Sequence, residues 1–391
     1  KRHYYAIALV LLAVMFFNSL SAVTYYSTTF DETMHIGAAY YYWKTGNITL
    51  NREQPPLVKI IAGIPLAFLD LNYPEGDWSN KEQIEFGKLF LYHMGNDLDL
   101  ILLFSRVAVV ALSLLLGSAL FLFVSKIYGY ESGIFALFLY VFEANIIAHS
   151  SVVTTDIAVT LFIFLTIFAL WHFVRLPTYW NALPVALFFA IAQVSKFTAL
   201  YLVPIFLVMI IFFIFRKFLR FSDVLKLFAI IVIVSIFTIN LFYLFQGTGK
   251  AFTENISADR IEKHIIDNPL SPLVLFAARM PIPLPENYML GLSDAVLHDI
   301  SGHSAFFLGE YSYYGWWYYF PVLFLLKVSI FLLIFIAISV YTFYRVGLEK
   351  KDDQKLAEYM AIIFVFLFFA ISAFSDINIG IRHVLPVFPF I

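Results

Sequence analysis

The sequence predicts an all-α polytopic membrane protein, and three observations carry that expectation. Of its 391 residues, 61% are hydrophobic and 13% are charged, against about 45–50% and about 25% in soluble domains. The apolar residues gather into runs of about twenty, the length that crosses a bilayer core as a helix. These runs recur along the whole chain instead of forming one anchor.

Ten spans follow from the pattern: Tyr4–Val23, Leu98–Val124, Ser132–Ala148, Val152–Val174, Trp180–Val194, Ala199–Phe215, Val224–Phe245, Tyr319–Tyr344, Leu356–Phe374 and Ile379 onward. Trp180–Val194 is the shortest and carries Pro184, which predicts a tilt or bend. The first run is long enough to span and does not read as a cleavable signal. The chain opens on a charged pair and stops inside an apolar run at Ile391, so it reads as part of a longer protein with one transmembrane domain over 1–391.

Lys and Arg near short loops mark the cytoplasmic side. If the spans alternate, Lys1, Arg2, Lys126, Arg175, Arg216, Lys217, Arg220, Lys226, Arg345, Lys350, Lys351 and Lys355 share one face. The N-terminus is then cytoplasmic, as in a plasma (inner) membrane protein. The opposite face holds two long segments, 24–97 and 246–318. In the first, His35–Trp43, Leu57–Leu69 and Glu82–His93 read as helices punctuated by Pro55, Pro56 and Pro74. The second is rich in Pro and Tyr. Both are expected to lay amphipathic helices on the outer membrane surface.

Composition excludes some chemistry. There is no cysteine, hence no disulfide, thiolate nucleophile or Cys-bound metal. A net charge of −2 argues against a nucleic-acid partner.

The polar residues left in this apolar chain fall on the outer face. Asp31, Glu32 and His35 follow span one; Glu53, Gln54, Pro55, Pro56 and Lys59 continue the same segment. His149, Ser150 and Ser151 form the turn before Asp156. Lys196 sits in the next outer turn, Lys327 about two helical turns into span eight, and Asp376, Asn378, Arg382 and His383 at the outer end of span ten. The sidedness came from other residues, so their convergence points to a shared extracytoplasmic cavity. Carboxylates at Asp31 and Asp156 suit a base or a cation site. Glu53 with His35 or His149 suits the acceptor or a divalent metal ion. Lys196, Lys327 and Arg382 suit a phosphate.

Each residue also has a plain structural reading. Asp31 and Glu32 suit helix caps near Thr33, and Asp156 suits the cap of span four. Lys196 suits a side chain snorkelling to the interface. Arg382 suits a structural pair with Asp376, and the aromatic run Tyr311–Phe320 an interfacial belt. Lys327, deep in its span, is expected to have an anionic partner.

The motifs together resemble the polytopic GT-C glycosyltransferases, close to the protein O-mannosyltransferases and the bacterial lipid A aminoarabinose transferases. The acidic pair Asp31-Glu32 resembles the family's first outer-loop motif, and Glu53-Gln54-Pro55-Pro56-Leu57 the stretch that follows it. His149-Ser150 with Thr155-Asp156 resembles a second acidic site. Gly315-Trp316-Trp317-Tyr318-Tyr319-Phe320-Pro321-Val322 with Lys327, and Arg382-His383-Val384-Leu385-Pro386, are similar to two further family runs. Gln54 departs from relatives that carry lysine there. The resemblance implies the GT-C fold and a transferase that uses a polyprenyl- or dolichyl-phosphate sugar. The acceptor is outside the cytoplasm: a protein hydroxyl, lipid A or another glycan or lipid. It implies Asp31 as general base, with Glu32, Glu53 and Asp156 orienting the acceptor or holding a metal. It implies Lys196, Lys327, Arg382 and His383 around the donor phosphate.

Two other classes compete. A flippase for a lipid-linked sugar predicts midplane charges and an inverted repeat, and the sequence contains no repeat. A non-catalytic subunit of a membrane complex would use the paired charges for assembly.

Overall fold

The computed structural model describes residues 1–251, 280–346 and 351–391. Lys350 and much of the second long segment lie outside the described residues. The described chain is helical except for one short hairpin.

Among the described residues, six helices are long and apolar enough to cross a membrane. They are α1 (Arg2–Tyr25), α5 (Leu98–Tyr128), α8 (Asp156–Arg175), Phe197–Phe215 with its α-helical part α10 (Leu202–Phe215), α11 (Phe221–Phe242) and α15 (Asp352–Ser372). Two further spans are broken. α6 (Tyr130–Val141) and α7 (Ala144–Ser150) meet at 65°, and α13 (Tyr319–Lys327) meets the next helix, α14 (Ile330–Val346), at 114°. Both breaks are capped. Glu143 accepts from the Asn145 amide at 3.3 Å and Ser329 from the Leu332 amide at 3.3 Å, so each second helix starts afresh. α9 (Tyr179–Gln193) has 15 residues with Pro184 inside, about 22 Å of helix against a hydrocarbon core of about 30 Å.

Two expectations change. The run from Ile379 forms no α-helical span: Ile381–Phe390 is a 3-10 helix containing Pro386 and Pro389. Proline removes the amide donors an α-helix needs and clashes with the preceding turn. Span eight is not continuous either, so Lys327 ends a helix instead of lying within one.

α8 is the most buried span. It packs against α5, α9, α15 and the 3-10 segment Ile381–Phe390. α10, α11 and α14 present Leu207, Ile211, Phe228, Ile233, Phe331 and Ile338 outward, as lipid-facing helices do.

The first long segment folds as α2 (Phe30–Thr45), α3 (Leu57–Leu66), a 3-10 turn Asn80–Glu82, α4 (Gln83–Lys88) and a π-helical turn Leu89–His93. α2 is not a surface amphipathic helix: every residue from Met34 to Tyr42 is buried. Its packing on α4 is close because two glycines face each other. A Cβ on Gly87 would sit 2.1 Å from the Thr33 carbonyl oxygen. α12 (Glu286–Ser301) lies against the first segment, tied by Arg52 Nε to Asp294 at 2.9 Å. A two-stranded hairpin, β1 (Ala305–Phe307) with β2 (Glu310–Ser312), precedes α13.

Candidate active site

Asp31 and Glu32 are neighbours on α2 with opposite surroundings. Thr29 caps the helix and Glu32 stands three residues later, the capping-box spacing. The Thr29 amide and hydroxyl donate to Glu32 Oε2 at 2.9 and 3.1 Å. Arg106 Nε donates to Oε1 at 2.7 Å and Nη2 to Oε2 at 2.8 Å, and the Val153 amide donates to Oε1 at 2.9 Å. Burial alone would raise this carboxyl; the Arg106 guanidinium and the amides of Thr29 and Val153 outweigh it and hold the group below its ordinary value. Both oxygens are committed to these donors, which leaves neither free in this structure for the acceptor or metal that the resemblance implies for Glu32.

Arg106 completes this junction. Its remaining donors go to the carbonyls of Val23 and Tyr26, at 2.9 and 2.7 Å, and of Ser27, at 2.9 Å. Glu32 and Arg106 are fully buried. The pair locks the end of α1, the start of α2 and the turn before α8 into one geometry. The sequence signal of Arg106 is a lone cation inside the apolar run Leu98–Val124.

Asp31, about 100° further round α2, is free of that junction. Its Oδ2 pairs with Arg382 Nη1 from the 3-10 segment. The two side chains remain 29% and 27% exposed, so the pair is reachable. Arg382 makes this bond and not one to Asp376.

A second ion pair stands beside the first. Asp156 opens α8, and Lys196 Nζ donates to its Oδ1 at 2.7 Å. Lys196 is held in the turn after α9, where the Leu57 amide donates to the Val194 carbonyl at 3.0 Å. That bond brings the Pro55-Pro56-Leu57 stretch to the same turn. His149, on α7, lies within charge–charge range of Asp156, Arg382 and Lys196, as does His383. The cluster therefore holds two carboxylates, two cations and two imidazoles. Arg382 Nε and His383 Nε2 are buried nitrogens with no protein partner. Among the described residues these are the two unmet buried side-chain nitrogens, and both lie in the charged cluster, where they can donate to a ligand.

Of the other expected residues, His35 lies within charge–charge range of Asp31 and Asp156, while Glu53 and Lys59 belong to a neighbouring polar ring. Glu53 accepts from Gln83 Nε2 at 2.7 Å. Lys59 is buried and donates to the Asn51 carbonyl at 2.5 Å and the Gln54 carbonyl at 2.6 Å. The polar ring Asn51–Gln83–Glu53–Lys59 thus shapes the first segment, with Gln54 Oε1 left unpaired. His35 Nδ1 bonds the Val153 carbonyl at 2.9 Å, and burial, aided by the Lys59 charge, lowers its pKa. Lys327 is exposed at the α13–α14 break and makes no ion pair among the described residues. It stands at the break because α13 ends there, which removes the reason to expect a buried partner. Among the described residues no group of three or more His, Asp or Glu side chains is placed to hold a metal ion. Two open surface clefts, of about 420 and 360 Å³, lie around Tyr73 and Tyr25, outside the charged cluster. The cluster is marked by its charges and unmet donors.

No protein-family model matches the chain. No curated protein matches it either. Among solved structures, it is similar to ArnT from Cupriavidus metallidurans, a crystal structure with bound undecaprenyl phosphate. The TM-score is 0.56 at 14% identity, over 100% of this chain and 59% of that one. The chain thus spans about three-fifths of that structure's length. The likeness establishes the fold: an all-α, multi-pass membrane architecture of the kind seen in ArnT.

Proposed function

We propose that this chain, with its GT-C fold, is an inverting glycosyltransferase. It moves a monosaccharide from a polyprenyl- or dolichyl-phosphate carrier to a hydroxyl acceptor outside the cytoplasm, in one transmembrane unit over 1–391. The observation that carries this reading is the accessible Asp31–Arg382 pair beside Asp156–Lys196, with two buried nitrogens unmet. An acid, two cations and spare donors are what a phosphate leaving group and an incoming hydroxyl require. The carrier seen in ArnT supports a polyprenyl phosphate as donor.

The donor phosphate takes Arg382 and Lys196 in place of their carboxylates, and Asp31 is freed as its cation turns to the ligand. Asp31 then accepts the proton of the acceptor hydroxyl as that oxygen attacks the anomeric carbon. The bond from that carbon to the phosphate oxygen breaks, and the lipid phosphate departs with the electron pair. Arg382 and Lys196 neutralise its growing charge, with Arg382 Nε and His383 Nε2 as further donors. A phosphate leaves readily, so no strong general acid is needed. One displacement inverts the sugar. Asp156 sets Lys196 in place before the donor binds and, once the phosphate has taken that cation, orients the acceptor.

The test is Asp31→Asn, assayed in membranes with a panel of polyprenyl-phosphate sugars. Transfer collapses while undecaprenyl phosphate still binds. Undiminished transfer by that variant removes Asp31 as base. Carrier translocation without any transfer, in the unmodified protein, favours the flippase reading.

A further inference from the structure

We infer that the end of the bundle opposite the charged cluster carries a headgroup site for an anionic glycerophospholipid. α5 and α8 each run from the cluster to that opposite end. α5 carries Arg106 near its start and Lys126 in its last turn; α8 starts at Asp156 and ends at Arg175. There, Lys126, His172 and Arg175 converge on the ring of buried Trp171. Lys126 Nζ lies 5.8 Å from its centroid and the Arg175 guanidinium 4.4 Å.

The arrangement is not that of cations spreading into water. A lysine that merely snorkels fans away from other positive groups. Lys126 instead donates to His172 Nε2 at 2.9 Å, which requires a neutral imidazole with its proton on Nδ1. Arg175 stands over the same indole ring. Its Nε is taken by Asp353 at 2.6 Å, leaving its terminal amino groups as donors. Glu358, one turn further along α15, accepts from the Tyr128 hydroxyl at 3.1 Å. Among the described residues no carboxylate stands within ion-pair distance of Lys126. The Lys126 ammonium is therefore held without a carboxylate partner of its own, beside Arg175, and both side chains are exposed. A phosphodiester carries one negative charge and acceptor oxygens to match.

The apolar surroundings select a lipid as its source. Leu115 and Leu122 of α5 are 57% and 46% exposed, and with Lys126 they follow the i, i+7, i+11 spacing of one helix face. Leu165, Phe168, His172 and Arg175 form the adjoining partly exposed stripe of α8. A headgroup on Lys126 and Arg175 would lay its acyl chain along the Leu122–Leu115 face. Basic pockets between spanning helices bind anionic headgroups in this way.

The full-chain protein in detergent is titrated with phosphatidylglycerol, phosphatidylcholine and inorganic phosphate at equal concentration. Thermal unfolding and native mass spectrometry are the readouts. Phosphatidylglycerol gives retained adducts and raises the unfolding temperature of the unmodified protein. Lys126→Gln and Lys126→Gln/Arg175→Gln lose both effects, and Lys126→Arg keeps them. Equal response to phosphatidylcholine overturns the site, as does an undiminished response of Lys126→Gln. Inorganic phosphate matching the lipid shows a free-anion site and overturns the lipid assignment. Lys126 is exposed, so the single variant decides the matter if the double variant does not fold.

Discussion

Arg382 pairs with Asp31 across 351 positions of sequence, joining the last described segment of the chain to the first outer helix. Each is the other's counter-ion, and each is a group the proposed reaction needs released. Arg382→Ala removes one phosphate contact and leaves Asp31 without its cation. Charge-assisted hydrogen bonds contribute about 1.5–3 kcal/mol, so undecaprenyl phosphate affinity is expected to fall about 10- to 150-fold. Fluorescence or calorimetric binding checks it. Unchanged affinity rejects the phosphate role of Arg382.

Asp31→Asn and Asp31→Glu separate basicity from charge pairing. Loss of a general base costs about 10²- to 10⁴-fold in rate. Asn loses that factor, and Glu, which keeps a carboxylate on a longer arm, retains part of the activity. Single-turnover transfer from a polyprenyl-phosphate sugar distinguishes the two. Equal activity in both variants shows that the carboxylate is not the proton acceptor.

The Arg106–Glu32 pair is the structural counterpart. Removing one partner leaves a buried charge uncompensated, at a cost of about 3–5 kcal/mol. Arg106→Met should therefore destabilise the protein more than Arg106→Met with Glu32→Met. Thermal unfolding of the three proteins checks the order, and a double variant less stable than the single reverses the argument.

Acid should act through Glu32. Its carboxyl is held below the ordinary value of 4.5. The stability it contributes is therefore complete above that value and lost as pH falls through the lowered one. The unfolding temperature should drop below about pH 4.5, and Glu32→Gln should flatten that limb while lowering stability at neutral pH. An acid limb of unchanged steepness in the variant assigns it to other groups.

The α2–α4 contact offers a steric test. A Cβ on Gly87 would meet the Thr33 carbonyl oxygen at 2.1 Å, while one on Gly37 meets Gly87 Cα at 3.0 Å. Overpacking costs about 1–3 kcal/mol. Gly87→Ala is expected to lower the unfolding temperature more than Gly37→Ala, and to reduce transfer by shifting the helix that carries Asp31. Equal stability of the two variants removes this contact as a determinant.

The sequence by itself determined the class of the molecule, because apolar runs of spanning length have no other stable setting. It also determined which polar residues deserve suspicion, since charge in such a chain is costly. Asp31, Asp156, Lys196 and Arg382 were legible on that ground. Only the tertiary structure divided Asp31 from Glu32. The capping-box spacing from Thr29 was readable, but that Arg106 saturates Glu32 depends on a contact 74 positions away. Nor could hydropathy show where a long apolar run breaks. Glu143 and Ser329 cap new helices inside two such runs, and prolines turn the run after Ile379 into a 3-10 segment. Hydropathy sums over a window, whereas a cap or a proline acts at one bond. Pairing of Asp31 with Arg382 and of Asp156 with Lys196 is likewise a product of packing, because charges far apart in sequence choose partners only after the helices around α8 have fixed where each side chain can reach.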